Sequence, residues 1–184
     1  MSQTIGNFKS GFNGGTRANR FSVDITWPEG VGNLSPDTLE YHAIAAKLPE
    51  AELGSIAIPY RGRVAYFAGD REYKPWTVTI LDDTGSNASW LAFHKWTNLL
   101  SDNETNKVDD TKYVSTHKSI IFKQLHDPTV SAGTGHESIR VITLTNAWPS
   151  EVGQIALDMG EGGNLVSYSV TFSYDYYTIT TGLQ

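Results

Sequence analysis

Val166-Ser167-Tyr168-Ser169-Val170-Thr171-Phe172-Ser173-Tyr174-Asp175-Tyr176 alternates without a break between large apolar or aromatic side chains and small polar ones. In an extended chain successive side chains point to opposite faces, so Val166, Tyr168, Val170, Phe172, Tyr174 and Tyr176 share one face. Ser167, Ser169, Thr171, Ser173 and Asp175 share the other. The pattern predicts one long strand of roughly 35 Å, longer than most. Its apolar face belongs on a core and its small polar face borders a solvated surface. At a sheet edge such a strand also invites pairing with another chain. The plain alternative is an ordinary half-buried strand facing bulk water.

Working outward, Gly160-Glu161-Gly162-Gly163-Asn164 marks a turn before this strand, and Gln154 to Asp158 suggests a short strand before the turn. Ile139 to Thr145 and Ile120 to Leu125 are two further strands, joined by a Pro-, Gly- and Ser/Thr-rich connection from Pro128 to Gly135. Trp148-Pro149 then closes the first of them before a rigid turn, with the tryptophan as core packing or as a cap on the sandwich.

Nearer the amino terminus, Phe21, Val23, Ile25 and Trp27 alternate with polar residues and end at Pro28. A candidate strand from Leu39 to Lys47 stops at Leu48-Pro49, and a hairpin is expected around Arg61-Gly62. Trp76, Val78 and Ile80 alternate with Thr77 and Thr79 up to a turn at Asp82-Asp83-Thr84-Gly85. One helix follows, with Ser86 as its cap and Trp90, Phe93, Thr97 and Leu100 at helical spacing, widened by Trp96 and Leu99. Residues 101–118 read as an acidic surface loop and residues 1–16, with Gly6, Gly11, Gly14 and Gly15, as a flexible arm. The expected fold is mainly β: a two-sheet β-sandwich or barrel with one flanking α-helix, in a single domain over residues 17–184.

Composition agrees. The chain has 184 residues, nine Tyr, seven Phe and five Trp, which favours strands, and no Cys, which removes disulfides, thiolate catalysis and thiolate metal sites. Its amino terminus has no apolar central region of the kind that makes a signal peptide, and no apolar run reaches membrane-spanning length, so a soluble protein made in the cytoplasm is expected. A net charge of −6 argues against a surface that grips DNA, because Lys and Arg contacts to phosphate supply most sequence-independent affinity.

The search for chemistry yields little. His42, His94, His117, His126 and His136 are scattered, no H-E-x-x-H pair exists, and His136-Glu137 lacks the second histidine. Gly160 to Gly163 is too short for a phosphate-binding glycine motif, and no G-x-S-x-G elbow is present. The Trp90, Phe93 and Trp96 stripe is core rather than a cofactor box. The expectation is a structural protein, not an enzyme, with no catalytic residues, no cofactor and no metal.

Several local stretches together resemble the tail tube proteins of contractile-tailed phages, which are related to the tubes of other contractile injection systems. They are Arg17-Ala18-Asn19-Arg20-Phe21-Ser22-Val23-Asp24-Ile25, Ala46-Lys47-Leu48-Pro49, Ile58-Pro59-Tyr60-Arg61-Gly62-Arg63, Ala68-Gly69-Asp70-Arg71 and Trp76-Thr77-Val78-Thr79-Ile80. Near the end, Asn146-Ala147-Trp148-Pro149-Ser150-Glu151-Val152-Gly153 leads to the aromatic-rich last strand. The chain departs from smaller family members in the acidic loop from Asn103 to Tyr113 and in the tail beyond Tyr177.

The resemblance implies subunits that form hexameric rings, stacked helically into a hollow conduit for genome delivery within a contractile sheath. Strands of all subunits would then line one large barrel-like lumen. Partners would be further copies of the chain, the tail sheath, the baseplate and the tail terminator, while DNA and a tape measure protein pass through without specific binding. The protein would reside in the virion tail after synthesis in the host cytoplasm. On this basis Ser167, Ser169, Thr171, Ser173 and Asp175 are lumen-face candidates, and Arg17, Arg61, Arg63, Asp70 and Arg71 are candidates for contacts between subunits, solvated hairpin charges being the plain alternative for the last four. Alternatives within the architecture are a type VI secretion or other injection-system tube and a tube initiator or terminator. A carbohydrate-binding sandwich or hydrolase is the alternative from another class.

Overall fold

The computed structural model describes residue 5 and residues 16–31, 42–83, 89–108, 115–125, 138–158 and 165–181. Its elements in chain order are β1 (Phe21–Ile25), β2 (Ala43–Ala46), β3 (Ala51–Tyr60), β4 (Arg63–Tyr73), β5 (Trp76–Leu81), α1 (Ser89–Leu100), β6 (Lys118–Leu125), β7 (Ser138–Val152), β8 (Ser167–Ser173) and β9 (Tyr176–Thr181). All strand pairings are antiparallel.

β7 organises the fold because it belongs to two sheets. Its first half, Arg140 to Thr145, pairs with β9 on one side and β6 on the other, and β1 lies beyond β6. Its second half, Trp148 to Val152, pairs with β8, followed by β5 and β2. Between the halves Asn146 adopts φ 55°, a left-handed conformation that asparagine tolerates better than most residues, and the strand turns there. The path stays open at β1 and β2, so the subunit alone is not a closed barrel.

One core fills the space between the two sheets. Val23, Ile25, Ile120, Phe122, Ile142 and Leu144 come from the first sheet and Trp76, Val78, Ile80, Tyr168, Val170 and Phe172 from the second, all buried. Each such side chain contributes about 1.5–3 kcal/mol by leaving water. The ring of Trp76 lies 6.2 Å from Phe122 and 5.9 Å from Phe172, which ties the layers together. Helix α1 buries Ala92, Phe93, Trp96 and Leu100 against this core. Phe93 and Trp96 sit 5.9 and 6.2 Å from Phe172. Two of the polar tips find partners: Trp96 Nε1 donates to the Thr116 carbonyl at 2.9 Å, and Ser89 Oγ meets the Tyr168 hydroxyl at 2.6 Å.

Several expectations hold and four change. The strand over Val166 to Tyr176 is not continuous: the chain bends at Tyr174 and Asp175, dividing it into β8 and β9. The cause lies in β7, since its turn at Asn146 carries β8 and β9 into different sheets and one straight strand cannot follow both halves. The strand expected from Ile139 to Thr145 instead runs on to Val152, which makes it the longest in the protein. Trp148-Pro149 therefore lies within a strand rather than at a turn, and Pro149 is accommodated beside a register shift where Ser150 is the extra residue. Gln154 to Asp158 forms no strand. Ser86, residues 39–41, the connection 128–135 and most of the 1–16 arm lie outside the described residues. In the 101–118 loop, Asp102 closes a tight turn by accepting from Glu104 N at 3.0 Å and Thr105 Oγ1 at 2.8 Å, and the backbone hydrogen bond from Glu104 holds its carboxyl below the usual range.

Candidate assembly surfaces

β3 and β4 form a two-stranded sheet of their own, paired with no other strand among the described residues. From Glu52 to Glu72 every residue except Gly69 is exposed, on both faces, so the hairpin stands away from the body. Its tip is a two-residue turn, Arg61-Gly62, with φ of 48° and 78°. Positive φ at both positions is the turn whose twist matches paired strands, and glycine supplies the second at no steric cost. The Arg61 guanidinium lies 5.4 Å above the Tyr60 ring.

The hairpin displays Leu53, Ile56, Ile58, Tyr60, Val64, Tyr66 and Phe67 to solvent, with Tyr66 71% exposed. Contiguous apolar exposure on this scale marks an interaction surface in a folded protein. Its root is held firmly. Tyr73 packs on Tyr174 and Tyr177 at 6.0 and 5.4 Å, at the bend between β8 and β9, and Lys74 Nζ pairs with Glu52 at 3.0 Å. Beside the root a groove of about 530 Å³ is lined by residues including Lys47, Pro49, Lys74, Trp76 and Thr77. Among the described residues that line it, Trp76 is the one aromatic, and it is buried in the core rather than presented as a stacking platform.

A second surface is the outer face of the β7-β8-β5-β2 sheet. Pairing places Ser167 beside Leu81, Ser169 beside Thr79 and Thr171 beside Thr77, while Glu151 flanks Thr171 from the other side. Thr77 and Thr171 share a hydroxyl hydrogen bond of 3.1 Å, and Ser150 Oγ donates to the Thr171 carbonyl at 3.1 Å. Neither β5, β8 nor the second half of β7 contains a lysine or arginine. The face is thus hydroxylated and faintly acidic.

Of the residues singled out from sequence, Ser167, Ser169, Thr171 and Ser173 do share the face of β8 away from the buried Tyr168, Val170 and Phe172. Asp175 does not belong to that row: it occupies the bend, where its Oδ2 accepts from Asn146 Nδ2 at 2.7 Å. Arg61 and Arg63 stand at the tip of the hairpin and Asp70 and Arg71 toward its root, whereas Arg17 precedes β1 at the edge of the other sheet. His94 lies against Trp90 with the rings tilted, 4.1 Å between centroids, and His117 meets Trp148 edge-on at 6.2 Å. Among the described residues no group of histidine and carboxylate side chains could hold a metal ion. Sequence reasoning missed the hairpin's apolar exposure, although its signal was present: Ile56 to Tyr60 and Val64 to Ala68 are charge-free runs with no alternation.

An open two-sheet sandwich with a solvent-exposed apolar hairpin defines a structural subunit built to assemble. Comparison with known proteins gives the particular class. The family model described as phage tail tube protein matches residues 16–180, and the chain belongs to that family. It is 26% identical over 161 residues to the tail tube protein gp19 of Enterobacteria phage T4, covering 88% of this chain and 90% of the relative. It is 22% identical over 176 residues to the tail tube protein of Serratia phage KSP90, covering 93% and 94%. Among solved structures the fold is similar to a chain of the anti-feeding prophage tube-terminating cap, with TM-score 0.64, 18% identity and coverage of 91% and 92%. It is also similar to a chain of the sheath-tube complex of an extracellular contractile injection system, with TM-score 0.60, 14% identity and coverage of 98% and 99%. The chain is a tail tube structural subunit.

Proposed function

We propose that the protein forms hexameric rings that stack helically into the hollow tube of a contractile tail, with a sheath outside and DNA moving through the lumen. The observation that carries assembly is the β3-β4 hairpin, whose exposed apolar residues form a patch of the kind that marks a protein contact. Head-to-tail contacts close into rings, and stacking extends rings into a tube without new chemistry. Sheath, baseplate and terminator are the partners such a tube meets along its outside and at its ends. The relatives are structural proteins, in keeping with a subunit that catalyses nothing.

The hydroxylated face of β8 and β5 suits the lumen wall. Ser167, Ser169, Thr171 and Ser173 offer small polar groups, and the absence of lysine and arginine on these strands keeps phosphate from accumulating contacts along the tube. Arg61, Arg63, Asp70 and Arg71 would set orientation where the hairpin meets its neighbours. Negative-stain electron microscopy over a concentration series tests the assembly: sixfold rings or hollow filaments of constant diameter are expected, and a monomer at every concentration would point to a tail-end component instead. Ser169→Lys with Thr171→Lys tests the lumen. Tubes that still assemble should deliver DNA poorly, and unchanged delivery would place this face elsewhere.

A further inference from the structure

Strand β9 carries the barest edge of the fold. It pairs with β7 over six consecutive positions with no register shift, and among the described residues no strand lies on its other side. A free edge presents unpaired N–H and C=O groups to any chain that approaches, and folded proteins ordinarily blunt it with proline, charge, brevity or a bulge. The other free edges here are blunted in that way. β1 has five residues and carries Asp24, while β2 has four and shifts register between Ala43 and Ala45. β3 has Pro59 and a shift between Leu53 and Ser55, and β4 carries Arg63, Asp70, Arg71 and Glu72. The second half of β7 has Pro149 and a shift beside Ser150.

β9 has none of these devices. Tyr176-Tyr177-Thr178-Ile179-Thr180-Thr181 contains no charge and no proline, and its aromatic and β-branched residues are the types most favoured in strands. Tyr177 is half-buried and the other five residues are exposed. Ile179 shows where cover ends: its register partner Ile142 is 3% exposed, whereas Ile179, on the same side of the sheet, is 58% exposed. The sheet thus runs one strand beyond the cover that the opposite layer gives it, leaving an apolar side chain beside open hydrogen-bonding groups. Together these recognise an extended backbone with an apolar side chain, through ladder hydrogen bonds and a cross-strand contact.

We propose that the free edge of β9 accepts a strand from a second copy of the chain, extending the β1-β6-β7-β9 sheet from one subunit into the next. This rests on the tube reading above, and it concerns a different sheet from the hydroxylated face of β8 and β5. Position favours a second copy over another protein. Tyr73 at the hairpin root packs 5.4 Å from Tyr177, so β9 begins beside the exposed apolar surface on which assembly rests, and the two surfaces adjoin. In a polymer of one chain the bare edge recurs at every subunit, and pairing within the polymer removes the hazard that each edge poses alone.

Hydrogen exchange read by mass spectrometry tests the pairing, on free subunits and on tubes assembled from the purified chain alone. In the free subunit the β9 amides that face away from β7 exchange quickly. In tubes those amides, within peptides covering 176–181, should slow by about a hundredfold or more, with no other protein present to supply the strand. Exchange as fast in tubes as in free subunits overturns the proposal, including the case in which a different protein covers the edge in the tail. As a second measurement, Ile179→Lys places on the edge the residue that ordinarily guards one. It should leave the subunit's thermal melt intact and raise the concentration needed for tubes roughly tenfold or more, while Ile179→Val keeps them. Tubes that form from Ile179→Lys at the ordinary concentration overturn the proposal as well. Failure of the unmodified chain to form tubes would instead remove the tube reading itself.

Discussion

At the scale of single residues, stability is concentrated where rings meet or backbones touch. Phe93 is fully buried and contacts Trp27, Trp96, Tyr168 and Phe172. Phe93→Ala should cost about 3–5 kcal/mol in denaturant unfolding, by lost transfer energy and the cavity left behind. Gly153 is constrained differently: a Cβ there would come within 2.7 Å of the Ser169 carbonyl oxygen, and its own N–H donates to that oxygen at 2.7 Å. Gly153→Ala should therefore destabilise by about 1–3 kcal/mol, although alanine is ordinarily the less flexible and more favourable residue. Tyr174 gives a pH signature. Burial pushes its hydroxyl up from 10.0 to about 12, with the neighbouring Tyr177 and Tyr73 adding to the shift. The fold thus holds the proton more tightly than the unfolded chain, so this contribution is intact below pH 10 and is lost as pH rises through about 12. Tyr174→Phe, which also removes a buried hydroxyl without a hydrogen-bond partner, should flatten the stability curve across that alkaline window.

At the scale of elements, the hairpin and the body should separate cleanly. Replacing residues 55–68 with a short turn should leave the melting temperature of the subunit nearly unchanged while abolishing rings and tubes, as read by calorimetry and electron microscopy. How much was legible in the sequence differs by element for physical reasons. β1, β5 and the first part of β8 show period-two alternation because each has one face on the core, and they lie where that alternation predicts. The helix showed its stripe of Trp90, Phe93, Trp96 and Leu100 for the equivalent reason. The bend at Tyr174 and Asp175 left no such mark, because alternation continues through it and the break is imposed by Asn146 in β7, which is remote in sequence. Pro149 misled in the same way: proline reads as a strand end unless a register shift makes room for it, and register is set by the partner strand. Of the candidate site residues, the hydroxyl row on β8 and the four hairpin charges were legible because each belongs to one element. Asp175 was misplaced because its position depends on two.

For the whole molecule, a net charge of −6 works against self-association, and the proposed contact through the hairpin works for it. Copies carrying −6 repel one another at low ionic strength, and the middle of the hairpin has no charge for salt to screen. The concentration at which tubes first form should therefore fall as salt is raised, measured by light scattering or sedimentation, whereas contacts dominated by ion pairs would shift it the other way. The chain's double crossing between sheets has a mechanical consequence. At one place Asn146 carries β7 from one sheet to the other and, alongside it, the Tyr174-Asp175 bend carries the chain back; the two are fastened by Asn146 Nδ2 to Asp175 Oδ2 at 2.7 Å and Asp175 N to the Thr145 carbonyl at 3.1 Å. A load applied along the strands must strain many ladder hydrogen bonds in shear together, because no single pair at this junction can peel open first. The corner is therefore braced like a weld, stiff along the strands rather than hinged where its two layers meet.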